Sequence, residues 1–210
     1  MRIGALSAKY ESGGDPAAVS QDNNDAGGWS YGIYQFSSAA GKVQDFVNWL
    51  CQQPAPYDEY GKQLLIAGDP AYDQSFVNKW QEIGNIDPEG FATLQDDYVK
   101  PEYYDAGAQI LIEKYGFDIS GHSDALKAVL WSNCVQHGPT YGAEVFSDAA
   151  DLVGQDLNSM SDYDIIYNIY EVKLTDMSWS AGSPADRPGL FARWRAERED
   201  ALKYLETGTF

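Results

Sequence analysis

From Val43 to Leu205 the apolar residues return every three or four positions, one segment after another, with Gly, Pro or a capping Ser or Asp between segments. Only packed amphipathic helices bury stripes of that period. Val43, Phe46, Val47, Leu50 and Cys51 make one stripe, ending before Pro54-Ala55-Pro56. Gln63–Ala67 is a short apolar segment before Gly68-Asp69-Pro70, and Phe76, Val77, Trp80 and Ile83 form a stripe closed by Gly84. Asp87-Pro88-Glu89 is a helix start, with a cap, a first-position Pro and an acid in the first turn; Phe91, Leu94 and Tyr98 continue it to Pro101, a kink or restart. Tyr104, Ala108, Leu111 and Ile112 lead to Gly116. Ser123-Asp124 opens a helix carrying Leu126, Val129, Leu130, Asn133, Cys134 and His137, and Pro139 and Gly142 begin another with Val145, Phe146 and Ala149. Ser161-Asp162 precedes Ile165, Ile166, Ile169 and Val172, and a polar loop over 175–187 leads to Leu190, Phe191, Trp194, Ala201, Leu202 and Leu205. With Met1–Glu11 at the front this predicts eight or nine helices and a mainly α fold. No repeat or linker interrupts it, so residues 1–210 read as a single domain, long enough to bury a core.

One stretch departs from the helical pattern. In Tyr10–Phe36, the first helix runs into Glu11, Ser12-Gly13-Gly14 stops it, and a loop rich in Gly, Asn and Asp reaches Gly28. Trp29–Phe36 then alternates as a strand does, predicting a small β-hairpin and an α+β arrangement. Glu11 is thereby placed at the end of a helix, facing a polar loop. A general acid needs a carboxyl group that keeps its proton. The negative end of a helix and aromatic walls, here Tyr10, Tyr31 and Tyr34, both favour the protonated form. The plain alternative is a solvated glutamate before a Gly-Gly stop.

The order of Glu11-Ser12-Gly13-Gly14, Ser20, Gly32-Ile33-Tyr34-Gln35, then VQHGP near residue 137 and RPGLFARWRAEREDAL at the far end, resembles the lysozyme superfamily. The likeness is to goose-type lysozymes and soluble lytic transglycosylases, and more closely to muramidase-like domains of phage endolysins and of phage-tail or secretion-spike proteins. The resemblance implies a lysozyme-like fold with a groove beside the hairpin and no cofactor. It implies that Glu11 is the general acid, and that Ser20 and Gln35 meet the substrate, with Tyr31 at the same groove. Asp22 and Asp25 stand near the position of the goose-type acidic residue that activates water, Asp25 nearer the strand. Ser37 stands where those enzymes carry a second Asp. Inverting glycosidases hold their two carboxyl groups roughly 6.5–9.5 Å apart, a span that a loop folding back from either Asp can meet. The VQHGP segment falls near the cleft floor, so Gln136 or His137 would position sugar; a capping or core histidine is the plain reading. Tyr141 is a sugar platform or a core residue, and Trp29 a platform or a hinge.

The net charge of −18 leaves no basic patch for nucleic acid and disfavours anionic membranes. Sugar polymers are read by aromatic faces and hydrogen bonds, which six Trp and fifteen Tyr supply. No stretch is long enough to span a bilayer. Cys51 and Cys134 lie on apolar stripes as buried free thiols, and no metal site is expected. Arg193 with Glu197, and Arg195 with Glu199, are spaced for surface ion pairs. Met1-Arg2 leads directly into the first helix without a signal peptide. The expectation is a monomer made in the cytoplasm that acts on peptidoglycan glycan strands in the cell wall, delivered by a holin, a phage tail or a secretion machine. Its reaction is cleavage of the β-1,4 MurNAc–GlcNAc bond by hydrolysis. Lytic transglycosylation and chitosanase or chitinase activity are the enzymatic alternatives, and an inactive wall-binding tail module the non-enzymatic one. A Cys134–His137 peptidase is disfavoured because Cys134 lies towards a helix C-terminus, which opposes thiolate formation.

Overall fold

Ser123 Oγ accepts from the Leu126 amide at 3.2 Å and Ser161 Oγ from the Asp164 amide at 3.1 Å, so two of the helix starts read from sequence are real side-chain caps. The structure, a computed structural model, describes residues 2–11, 13–21 and 28–209. Among them are nine α-helices: α1 (Ala5–Glu11), α2 (Lys42–Leu50), α3 (Asp58–Ala67), α4 (Gln74–Ile86), α5 (Pro88–Val99), α6 (Ala106–Tyr115), α7 (Asp124–Val153), α8 (Asp162–Thr175) and α9 (Arg187–Thr207). Three short strands, β1 (Val19–Gln21), β2 (Trp29–Tyr31) and β3 (Phe36–Ser37), form one antiparallel sheet in the order β1-β2-β3. No described helix is long and apolar enough to cross a membrane. The chain divides into two compact units, Glu11–Val99, and Met1–Tyr10 with Lys100–Phe210.

In the Glu11–Val99 unit the core is aromatic. Phe36 stacks on Phe46 at 5.0 Å, Trp80 meets Phe91 at 4.9 Å, and Tyr31 packs edge-on to Phe76 at 5.3 Å. Each such ring, fully buried, stabilises by about 1.5–3 kcal/mol. The strand expected over Trp29–Phe36 is in fact two strands joined by a turn at Gly32–Gln35, so the hairpin is a three-stranded sheet. Val19 pairs with Tyr31 and Ser20 with Ser30, while Ser30 also faces Ser37. Gly84 does not close its helix; α4 continues to Ile86. Its missing side chain lets Ala17 approach, since a Cβ there would lie 2.7 Å from the Ala17 Cα. The short segment at Gln63–Ala67 extends back to Asp58 as a full helix.

The second unit is helical. Trp131, Phe146, Ile165, Ile166, Ile169, Tyr170 and Trp194 are buried in it. Pro101 opens a single π-helical turn, Pro101–Asp105, that runs into α6, so it restarts the chain without stopping it. Gly138, at φ 79° and ψ 160°, breaks α7 immediately before Pro139, where the sequence predicts a new segment. Cys134 is buried between two glycines: a Cβ on Gly107 would lie 2.4 Å from its Sγ, and one on Gly142 2.6 Å from its backbone N. Burial pushes its thiol up to about 12. The Arg193–Glu197 pair is not on the surface as expected. Glu197 is 1% exposed, accepts from Ser132 Oγ, and lies 3.8 Å from Arg193 Nε.

Candidate active site

Glu11 is the last residue of α1 and its side chain is exposed. In the same unit, Ser20 on β1 donates its hydroxyl to Gln35 Oε1 at 2.8 Å, and Gln35 Nε2 donates to the Gly32 carbonyl at 2.8 Å. The amide of Gln35 is thus held at both ends. Its backbone sits at φ 50°, the left-handed region that a non-glycine residue enters only when its surroundings compel it. Gly32 begins this turn at φ 70°, and a Cβ there would come within 2.2 Å of Gln95 Oε1, so any side chain would be strained and would displace Gln95.

Behind the turn lies α5. The fully buried Gln95 accepts from the Ile33 amide at 2.8 Å and donates to the Pro16 carbonyl at 3.0 Å, where Trp80 Nε1 also donates at 3.0 Å. Asp96 accepts from the Tyr34 hydroxyl at 2.8 Å. Both ends of the loop that carries Ser20 are therefore tied to the helices beneath it. Sequence reading does not find Gln95, because its partners lie 62 and 79 positions away and no local spacing announces it.

Tyr31 does not face a groove. It is fully buried, donates its hydroxyl to the Pro70 carbonyl at 2.6 Å, and packs on Phe76 and Trp80, which leaves no face for a sugar. Tyr10, expected as a wall beside Glu11, belongs to the second unit and donates there to Asp200, where burial and that carboxylate hold its phenol protonated. Ser37 is half-buried and accepts from the Ala40 amide at 3.2 Å. Trp29 is half-buried, its amide fixed by Ser38 Oγ at 2.8 Å. Asp22 and Asp25 lie outside the described residues.

The remaining residues of interest belong to the second unit. Gln136 Oε1 accepts from Lys173 Nζ at 2.8 Å and from Trp194 Nε1 at 3.0 Å, so that atom serves the fold. His137 and Tyr141 line a pocket of about 370 Å³ with Glu144, Asp148, Ser178 and Trp179. His137 meets Trp179 edge-on at 5.2 Å, and its Nε2 is buried without a hydrogen-bond partner. Burial, with Lys173 and Arg193 adding to it, pushes the imidazole down to about 3, so it is neutral. Tyr141 is 60% exposed, neither core nor fully solvated. Glu144 and Asp148 escape the sequence reading, although the spacing 141, 144, 148 after Pro139 is the signal that could have found them. Cys134 is fully buried and its thiolate is disfavoured, which leaves nothing for a Cys134–His137 nucleophile.

The architecture has counterparts among solved structures. The chain is similar to a GH46 chitosanase of Gynuella sunshinyii in complex with chitotetraose, at 12% identity and a TM-score of 0.55, over 98% of this chain and 87% of that one. It is similar to native chitosanase from Bacillus subtilis MY002 at 16% identity and 0.54, over 98% and 88%. At such identities the likeness carries the fold alone, which is lysozyme-like and mainly α with a small sheet, as the sequence predicts. A curated relative is the type VI secretion system spike protein VgrG3 of Vibrio cholerae serotype O1, 34% identical over 175 residues. The match takes in 83% of this chain but spans only 16% of that protein. The profile of the family described as type VI secretion system spike protein VgrG3-like, C-terminal, aligns with residues 3–198, and to that family the chain belongs.

Proposed function

We propose that the chain is a glycosidase that cleaves the β-1,4 MurNAc–GlcNAc bond of peptidoglycan, with Glu11 protonating the leaving oxygen. The observation that carries this reading is the locked turn. The lysozyme-like order of Glu, Ser and Gly-x-x-Gln is folded so that Ser20 and Gln35 hydrogen-bond each other, with Gln35 kept in a costly backbone conformation. Strain of about 1–3 kcal/mol is retained where a side chain must be aimed. Ser20 and Gln35 would then hold the sugar beside Glu11. Glu11 is exposed at the end of α1, where a polymer in solution can reach it. Asp25, or Asp22, is the proposed activator of water in a hydrolytic route. Membership of a secretion-spike family supports delivery to the wall by a secretion machine.

A second reading is a chitosanase, favoured by the fold of the two solved relatives and by the net charge of −18, which would attract a polycationic glucosamine polymer. Activity on chitosan against purified sacculi separates the two. For the favoured reading, Glu11→Gln loses about 100- to 10,000-fold in sacculus digestion while its helical circular dichroism is unchanged. Undiminished digestion by that variant overturns the assignment. Mass spectrometry of the released muropeptides separates the two routes, because a transglycosylase product is lighter by one water.

A further inference from the structure

Tyr141, Glu144 and Asp148 follow one another at steps of three and four on the part of α7 beyond the break at Gly138, His137 stands just before that break, and Ser178 and Trp179 close the pocket from the 3-10 turn Met177–Ser180. Its volume of about 370 Å³ is of ligand size. Two kinds of wall meet there. Trp179 presents its ring to both His137, at 5.2 Å, and Tyr141, at 6.5 Å. Glu144 and Asp148 supply two carboxylates with no lysine or arginine in the lining.

We propose that this pocket binds the primary ammonium group of a wall-derived ligand, with the carbon skeleton that carries it laid against Trp179 and Tyr141. The choice of cation follows from the lining: two carboxylates repel an acidic group, and the aromatic faces attract an ammonium while covering apolar carbon. Ser178 and the unpartnered His137 Nε2 offer further hydrogen-bonding atoms. His137 is neutral, so it adds no positive charge against the incoming cation. The Asp148 carboxyl is pushed up by burial and then by Glu144, Asp151 and Asp176, an acidic excess that an ammonium relieves. A metal ion is the poorer occupant, because no group of three or more His, Cys, Asp or Glu placed to hold one occurs among the described residues. The identity of the ligand as wall-derived rests on the glycosidase reading above. Its ammonium has two sources there, an unacetylated amino sugar or the free end of a diamino acid in the stem peptide.

The test is an NMR titration of the full chain that follows the Trp179 indole, in two arms that contain no cleavable glycosidic bond. One arm compares methyl glucosaminide with its N-acetyl form. The other compares a stem tripeptide ending in a diamino acid with its side-chain N-acetyl form. The expected result is that the free amine binds about tenfold or more tightly in at least one arm, and that arm names the source. The preference weakens as salt is added and is lost in Glu144→Gln/Asp148→Asn, with Glu144→Gln alone as a milder variant that keeps the half-buried Asp148. No preference in either arm, or a preference that survives in a folded double variant, overturns the proposal. Sacculus digestion measured in parallel keeps the two readings apart. Digestion without an amine preference fails the pocket alone, and a preference with undiminished digestion by Glu11→Gln fails the acid alone.

Discussion

Among the described residues of the Glu11–Val99 unit the most deeply buried polar side chain is a neutral amide, Gln95, which joins the Ile33 amide to the Pro16 carbonyl, while its neighbour Asp96 keeps 6% exposure. The corresponding depth of the other unit holds charges. Lys173 and Glu197 are each 1% exposed, Lys173 reaching Asn133 and Gln136 at 2.8 Å and lying 4.7 Å above the Trp194 ring. An amide that replaces backbone hydrogen bonds fixes a loop at modest desolvation cost. A buried charge is costly to desolvate and survives only where several groups converge on it. The contrast is one of purpose. Gln95 shapes a turn, whereas Lys173 gathers α7, α8 and α9 at a point where α7 is about to break.

The strongest way to break the contrast is to remove the charge. Lys173→Ala should cost about 3–5 kcal/mol in urea unfolding, because polar partners stay buried without it. Lys173→Met keeps the stem and should cost less; equal losses would mean that the charge outweighs the packing. Gln95→Leu should cost about 2–3 kcal/mol, since the Ile33 amide loses its acceptor while Pro16 keeps Trp80. Its distinguishing readout is activity. The turn that aims Gln35 loosens, so digestion should fall further than that of a Lys173→Met protein of similar stability.

The smallest effect concerns pH. The His137 imidazole is held near 3, below its ordinary value of 6.5, so in this range the unfolded chain binds the extra proton. Stability from this residue is therefore full above pH 6.5 and is lost progressively as pH falls towards 3. At pH 5 the loss is about 2 kcal/mol relative to pH 8. His137→Gln should flatten that part of the acid limb, and an unaltered pH profile in this variant would show that the imidazole is solvated.

What the sequence made legible was local. The helices were readable because a stripe of period 3.6 is written within one segment, and the Ser123 and Ser161 caps because a cap needs only its next three residues. The sheet was misread because strands of two or three residues carry too little alternation to show the turn at Gly32–Gln35 inside what looked like one strand. Gly84 was misread because the reason for that glycine, the approach of Ala17, lies far away in the chain. At the site, Ser20 and Gln35 were anticipated and the structure brings them together. Tyr31 was expected at the groove and is core, and of the Arg193–Glu197 pair expected on the surface Glu197 is buried and Arg193 half-buried: spacing gives a pair, not its depth. Gln95 and Lys173 were missed because each acts only through residues from other segments.

The two thiols bear on how such a chain meets an oxidant. Cys134 is sealed between glycines with its sulfur held protonated, and burial also raises the Cys51 thiol. The thiolate is the form that oxidants and disulfides attack. Attack on either sulfur is therefore disfavoured, most of all at the fully buried Cys134.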